Sequence, residues 1–115
     1  MNRARWLALL WTLFLLAACT VPGTSLPSVT LWEFDKLIHF ALFAGFGWLW
    51  MQASTLRWPR RMALVFLAGV AFALLTEWYQ GLLPWPRTPD PLDALADSLG
   101  VLAGVVGYRL HPSTR

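Results

Sequence analysis

Between Trp6 and Trp32 the chain runs for 27 residues without a charged side chain. A second such stretch, Leu37 to Leu56, adds 20 residues and contains His39 and Gln52. About 20 mainly apolar residues are enough to cross the hydrocarbon core of a bilayer as a helix. A soluble fold of 115 residues needs polar side chains over most of its outside. Here only 13% of residues are charged, against a usual share of about 25%. Mean hydropathy is +0.53 and 57% of the residues are hydrophobic. These values exclude a water-soluble globule and a disordered segment, and one cysteine excludes a disulfide scaffold. A net charge of +3 does not signal nucleic acid, because the basic residues are scattered between apolar stretches. The chain reads as a membrane protein.

Two further spans follow. Arg60 and Arg61 precede an apolar run from Met62 to Thr76, and the pattern continues to Leu83 across Glu77 and Gln80. The last, Ser98 to Tyr108, is only 11 residues long and reaches spanning length if it starts near Pro91, with Asp93 and Asp97 at the bilayer boundary. The expected fold is all-α and polytopic, about four transmembrane helices in a small bundle. Seven basic residues (Arg3, Arg5, Arg57, Arg60, Arg61, Arg109, Arg115) then fall on one side, which makes both termini cytoplasmic. Trp6, Trp32, Trp48, Trp50, Trp58, Trp78 and Trp85 lie near expected span ends, as an interfacial belt should. Glu33, Asp35, Glu77, Asp90, Asp93 and Asp97 all map to the outer half, together with Lys36, His39, Gln80 and Arg87.

The first segment has two readings. Asn2-Arg3-Ala4-Arg5 and the apolar run to Ala18 have the layout of a secretory signal peptide, and Leu16-Ala17-Ala18-Cys19 looks like a lipobox. The alternative is an uncleaved anchor whose cysteine faces another helix. Either reading leaves the later topology unchanged.

The outer polar residues each have a plain structural role and a functional one. Thr30-Leu31-Trp32-Glu33 fits a capping box at the start of the second span, which would occupy Glu33 and Asp35 with helix capping. Lys36 and His39 are three apart and share a helix face. Lys36 can snorkel to the interface, whereas His39 lies one turn deeper and needs a partner. Gly69, Ala73, Glu77 and Gln80 share a face of the third span, a pattern of helix contact with a carboxylate at its outer end. A structural ion pair of Glu77 with Lys36 or Arg87 is the plain reading of that acid. Four prolines between residues 84 and 91 stiffen the connection that carries Arg87. Asp90-Pro91-Leu92-Asp93 reads as an N-cap, an N1 proline and an acid at N3. Asp97 lies a turn deeper, above Gly100-x-x-x-Gly104, a spacing that allows close approach of another helix. No metal-ligand set, phosphate loop or nucleophile motif stands out, and no cofactor is expected.

In order along the chain, Asp35-Lys36-x-x-His39-Phe40, Glu77-x-x-Gln80, Arg87-x-x-Asp90-x-x-Asp93 and Gly100-x-x-x-Gly104 resemble the VanZ-like family of small bacterial membrane proteins. The resemblance covers roughly residues 30 to 107. Family members commonly carry asparagine where this chain has Asp97. The family takes its name from a protein associated with resistance to teicoplanin. The resemblance implies a multi-pass protein of the bacterial inner membrane with an outer polar cluster, and it supplies no reaction. Carried over by position, the site residues are Asp35, Lys36, His39, Glu77, Gln80, Arg87, Asp90 and Asp93, with Asp97 as the departure. Residues 1–29 hold the first segment and an outer loop, 30–110 the VanZ-like domain and 111–115 a cytoplasmic tail.

The expected function is binding of an amphiphile at the outer bilayer surface. Lys36, His39 and Arg87 would meet an anionic head group, and Glu77 and Asp93 would orient those cations. The expected partner is a membrane lipid or lipid-linked envelope molecule, or a lipid-tailed glycopeptide, with a homo-oligomer as a further option and no nucleic acid. Two other classes stay open. One is a membrane enzyme using Glu77 and His39 as acid and base. The other is a structural subunit whose polar cluster is an internal ion-pair network.

Overall fold

The computed structural model describes residues 2–20, 29–84 and 91–111, with side chains described from Lys36 in the second helix and from Leu92 in the fourth. Among these residues there are four helices and no strand: α1 (Arg3–Thr20), α2 (Val29–Ala53), α3 (Trp58–Gly81) and α4 (Pro91–Leu110). Two of them, α1 and α3, are long and apolar enough to cross a membrane. Only 17% and 22% of their apolar windows are buried inside the bundle, so they are not core helices of a soluble protein. Leu10, Leu13, Leu67, Leu74 and Leu75 stand exposed on these helices. A continuous apolar exterior of this kind suits lipid and not water.

Helix boundaries follow local chemistry. Helix α4 starts at Pro91, where a fixed φ and a missing N–H cost nothing in the first turn, and takes in both Asp93 and Asp97. Helix α3 begins at Trp58, four residues before the expected start, with Pro59 in its first turn. Arg60 and Arg61 therefore lie on the helix, not ahead of it. Helix α2 begins at Val29, so Thr30 falls inside the first turn; the side chains of the expected capping box lie outside the described residues.

Successive helices alternate in direction, and α2 and α4 run parallel side by side as the tightest pair. Glycine makes that closeness possible. A Cβ added at Gly100 or Gly104 would fall on the carbonyl oxygen of Phe40 or Ala44, and one at Gly47 would lie 2.6 Å from that of Val101. The backbones themselves are in contact along this seam. Helix α3 lies against α4 through Gly69, whose Cβ position is taken by the side chain of Val101. Helix α1 lies against α2, with the Trp11 ring over Gly45 and its Nε1 donating to the carbonyl of Leu42 at 2.8 Å. Phe43, Phe46 and Phe72 fill the centre, with Phe46 and Phe72 stacked at 5.5 Å between ring centroids.

This arrangement gives the bundle two chemically different ends. One carries Arg3, Arg5, the α2–α3 connection with Arg57, and the end of α4. There Arg61 and Arg109 both sit over Trp58, at 4.4 and 4.6 Å from the ring centre. Trp48, expected in an interfacial belt, packs edge-on against Tyr108, and Trp50 donates to Thr12 Oγ1 at 2.9 Å. These tryptophans bind helices together. The opposite end carries the described carboxylates, Glu77, Asp93 and Asp97.

Candidate functional site

The parallel register of α2 and α4 sets the first turn of α4 at the depth of the second turn of α2. Lys36 and His39 are three residues apart on α2, and Asp93 and Asp97 are four apart on α4, so each pair occupies one face. The seam places them opposite each other. Lys36 Nζ donates to Asp93 Oδ1 at 2.6 Å, and His39 Nδ1 lies 2.9 Å from Asp97 Oδ1. The two rungs differ in burial. Side-chain exposure is 18% and 11% for Lys36 and Asp93, but 6% and 2% for His39 and Asp97. The outer rung lies at the rim and the inner rung is sealed.

Asp97 explains how a histidine is accommodated a turn inside an apolar helix. A carboxylate at that position accepts from Nδ1–H, fixes the ring plane and leaves further imidazole chemistry to Nε2. Asp93 engages one of the three N–H donors of Lys36 and holds the ammonium at the mouth of the bundle. Glu77 is half-buried on α3 at the same end, and its Oε1 is fully buried. Thr76 and Ser98 satisfy their hydroxyls locally, on the carbonyls of Ala73 and Ala94.

Gln80 does something the sequence did not reveal. Its Nε2 donates to the carbonyl of Cys19 at 3.1 Å. The last four carbonyls of a helix lack intrahelical partners, so Gln80 caps the end of α1 from across the bundle. Beside it, Thr20 Oγ1 and the Tyr79 hydroxyl lie 3.1 Å apart. Cys19 itself is buried. Gln80→Leu should therefore lower stability by about 1–3 kcal/mol, the cost of a buried acceptor left without its donor. Thermal unfolding in detergent measures this, and an unchanged midpoint would show that the cap contributes nothing.

Of the sequence-derived site residues, Lys36, His39, Glu77, Gln80, Asp93 and Asp97 lie at this end of the bundle. Asp35 lies in α2, with its side chain outside the described residues, and Arg87 and Asp90 lie outside them altogether. Among the described residues no three of the histidine, cysteine and acidic side chains come together in a way that would hold a metal ion.

Four helices with an apolar exterior and ion pairs recessed at one end define a small helical membrane protein. The chain belongs to the VanZ/LLP1 family, whose model matches residues 3–111, nearly the whole chain. The match takes in α1, which the residue-by-residue resemblance left out. Comparison with curated proteins and with solved structures gives no match.

Proposed function

We propose that the protein spans the bacterial inner membrane four times and binds an amphiphile at its outer, carboxylate-bearing end. Support for this orientation comes from six described basic residues, Arg3, Arg5, Arg57, Arg60, Arg61 and Arg109, which lie at the other end, the arrangement that the positive-inside rule associates with cytoplasmic termini. At 20 and 25 residues, α4 and α2 reach about 30 and 38 Å at 1.5 Å per residue, enough for the hydrocarbon core.

The observation that carries the binding reading is the two-rung ladder of Lys36–Asp93 and His39–Asp97. Charged groups near the membrane interior are costly, and pairing them lowers that cost while fixing their positions. Lys36 and His39, joined by Arg87 from the proline-rich connection, would receive an anionic head group or carboxylate. Asp93, Asp97 and Glu77 would hold those cations in place. An acyl or prenyl chain would lie along the apolar helices below. A lipid-linked envelope precursor or a lipid-tailed glycopeptide such as teicoplanin has this shape, and membership of the VanZ family supports a link to glycopeptide resistance. Arg87→Ala should abolish any protection that the protein gives cells against such a glycopeptide, at unchanged abundance in the membrane. Full protection at equal abundance would remove Arg87 from the head-group site.

A second reading rests on the inner rung. A buried carboxylate bonded to Nδ1 is how a histidine is oriented as a general base. With Glu77 as the acid, the same end could turn over a lipid-linked substrate. Turnover abolished in both His39→Gln and Glu77→Gln, with a bell-shaped pH profile in wild type, would favour this enzyme over the binding protein.

A further inference from the structure

A groove of about 590 Å³ opens between α1, α2 and α3 at the arginine end, within the range of about 300–1,000 Å³ common for small-molecule sites. Phe46, Trp50, Val65, Ala68 and Phe72 give it apolar walls. The polar atoms in those walls are turned to one another, because Trp50 Nε1 donates to Thr12 Oγ1. At its mouth the groove meets a second recess, of about 490 Å³, and Thr55 and Leu56 line both. Arg57 and Arg60 line that recess, and Arg5 lines the groove.

These arginines differ from their neighbours. Arg61 donates from Nε to the carbonyl of Leu56 at 2.9 Å and sits over Trp58, which Arg109 covers from elsewhere. Both are bound into the bundle. Arg5, Arg57 and Arg60 are exposed, around the opening of an apolar channel that leads toward the middle of the bundle. An apolar trough ending in guanidinium groups is complementary to one kind of molecule at a bilayer surface, an acyl chain attached to an anionic phosphodiester.

We infer that this groove binds an anionic phospholipid, its acyl chain along Phe46, Ala68 and Phe72 and its phosphodiester among Arg57, Arg60 and Arg5. The site lies at the opposite end from the ion-pair ladder and stands independently of the head-group reading. In the four-span orientation it faces the inner leaflet. Its role is to lock α1 and α3, which meet each other only slightly, onto α2.

Native mass spectrometry of the full chain in mild detergent tests this, with phosphatidylglycerol and phosphatidylcholine of identical acyl chains added in turn. Wild type should retain phosphatidylglycerol preferentially, and each arginine removed should weaken that preference by about fivefold. In the variant carrying Arg5→Gln, Arg57→Gln and Arg60→Gln the two lipids should be held alike. Ala68→Phe, which fills the trough from an exposed position, should lose both lipids while keeping the helical circular dichroism of wild type. Equal retention of the two lipids by wild type would overturn the inference. So would a preference that survives in the triple variant or in a folded Ala68→Phe protein. Inorganic phosphate that raises the melting temperature as much as phosphatidylglycerol would show an anion site only. A lipid-free dimer that Ala68→Phe breaks would give the groove to a second copy of the chain, and either result would overturn the lipid assignment.

Discussion

Gly104→Val is expected to part α2 from α4 and leave little folded protein at temperatures where wild type is intact. A Cβ at position 104 would fall on the Ala44 carbonyl and 2.8 Å from the Trp48 nitrogen. Both are helix backbone and cannot swing aside as a flexible side chain would. Overpacking a tight core commonly costs about 1–3 kcal/mol, and a backbone obstacle puts this case at or beyond the upper end. A fall in the unfolding midpoint of about 10 °C or more follows for a chain of this size. Gly107 supplies the control. A Cβ there would meet only the Trp48 ring, at 3.7 Å, which is ordinary van der Waals contact. Gly107→Ala should hold or raise the midpoint, since alanine is the better helix former by up to about 1 kcal/mol. Equal midpoints for Gly104→Ala and Gly107→Ala would mean that the seam is not as close as described.

The second large effect falls on Asp97. Asp97→Leu takes from His39 the acceptor of its Nδ1 bond inside a site with 6% and 2% side-chain exposure. A loss of about 1–3 kcal/mol is expected, together with loss of any ligand held at that end. Asp97→Asn keeps an oxygen at the same place and should lose less. The informative variant is the double one, His39→Leu with Asp97→Leu. Replacing both members of a buried polar pair by apolar groups is often neutral or stabilising. The double variant should regain most of the stability lost by Asp97→Leu but no ligand binding. A double variant as unstable as the sum of the singles would show that the two side chains act separately. Regained ligand binding would instead make the inner rung purely structural.

The particulars of these pairs show how far sequence reasoning reaches. Helix α4 was legible from Pro91 onward because a proline marks its first turn and two acids and two glycines at helical spacing share one face. The start of α3 was harder. Its arginines look like a boundary on charge alone, while Pro59 marks a helix already begun. Charge does not mark the end of α1 at Thr20 within the 27 charge-free residues from Trp6 to Trp32; the signal there is the fall in hydropathy and the breakers Pro22, Gly23 and Pro27 that follow it. The partners of Lys36 and His39 depend on the register of two helices far apart in sequence. A signal for them existed. Lys36–Asp93 and His39–Asp97 are separated by 57 and 58 residues, the near-constant offset that two parallel helices in contact require. The cap that Gln80 places on Cys19 left no such trace, because a backbone carbonyl has no letter in the sequence.

Native mass spectrometry on protein released by mild detergent from its own membrane, comparing wild type with Glu77→Gln, tests the binding reading most directly. Glu77→Gln changes a charge at the carboxylate end with little change in shape and leaves the arginine-lined groove at the other end untouched. An adduct carried by wild type and lost from an equally stable Glu77→Gln protein is the expected result, and its mass would give the class of amphiphile. Apart from a phospholipid of the arginine-lined groove, which both proteins should carry alike, the absence of an adduct on wild type, or one held equally by both proteins, would contradict a ligand site among Lys36, His39 and Glu77.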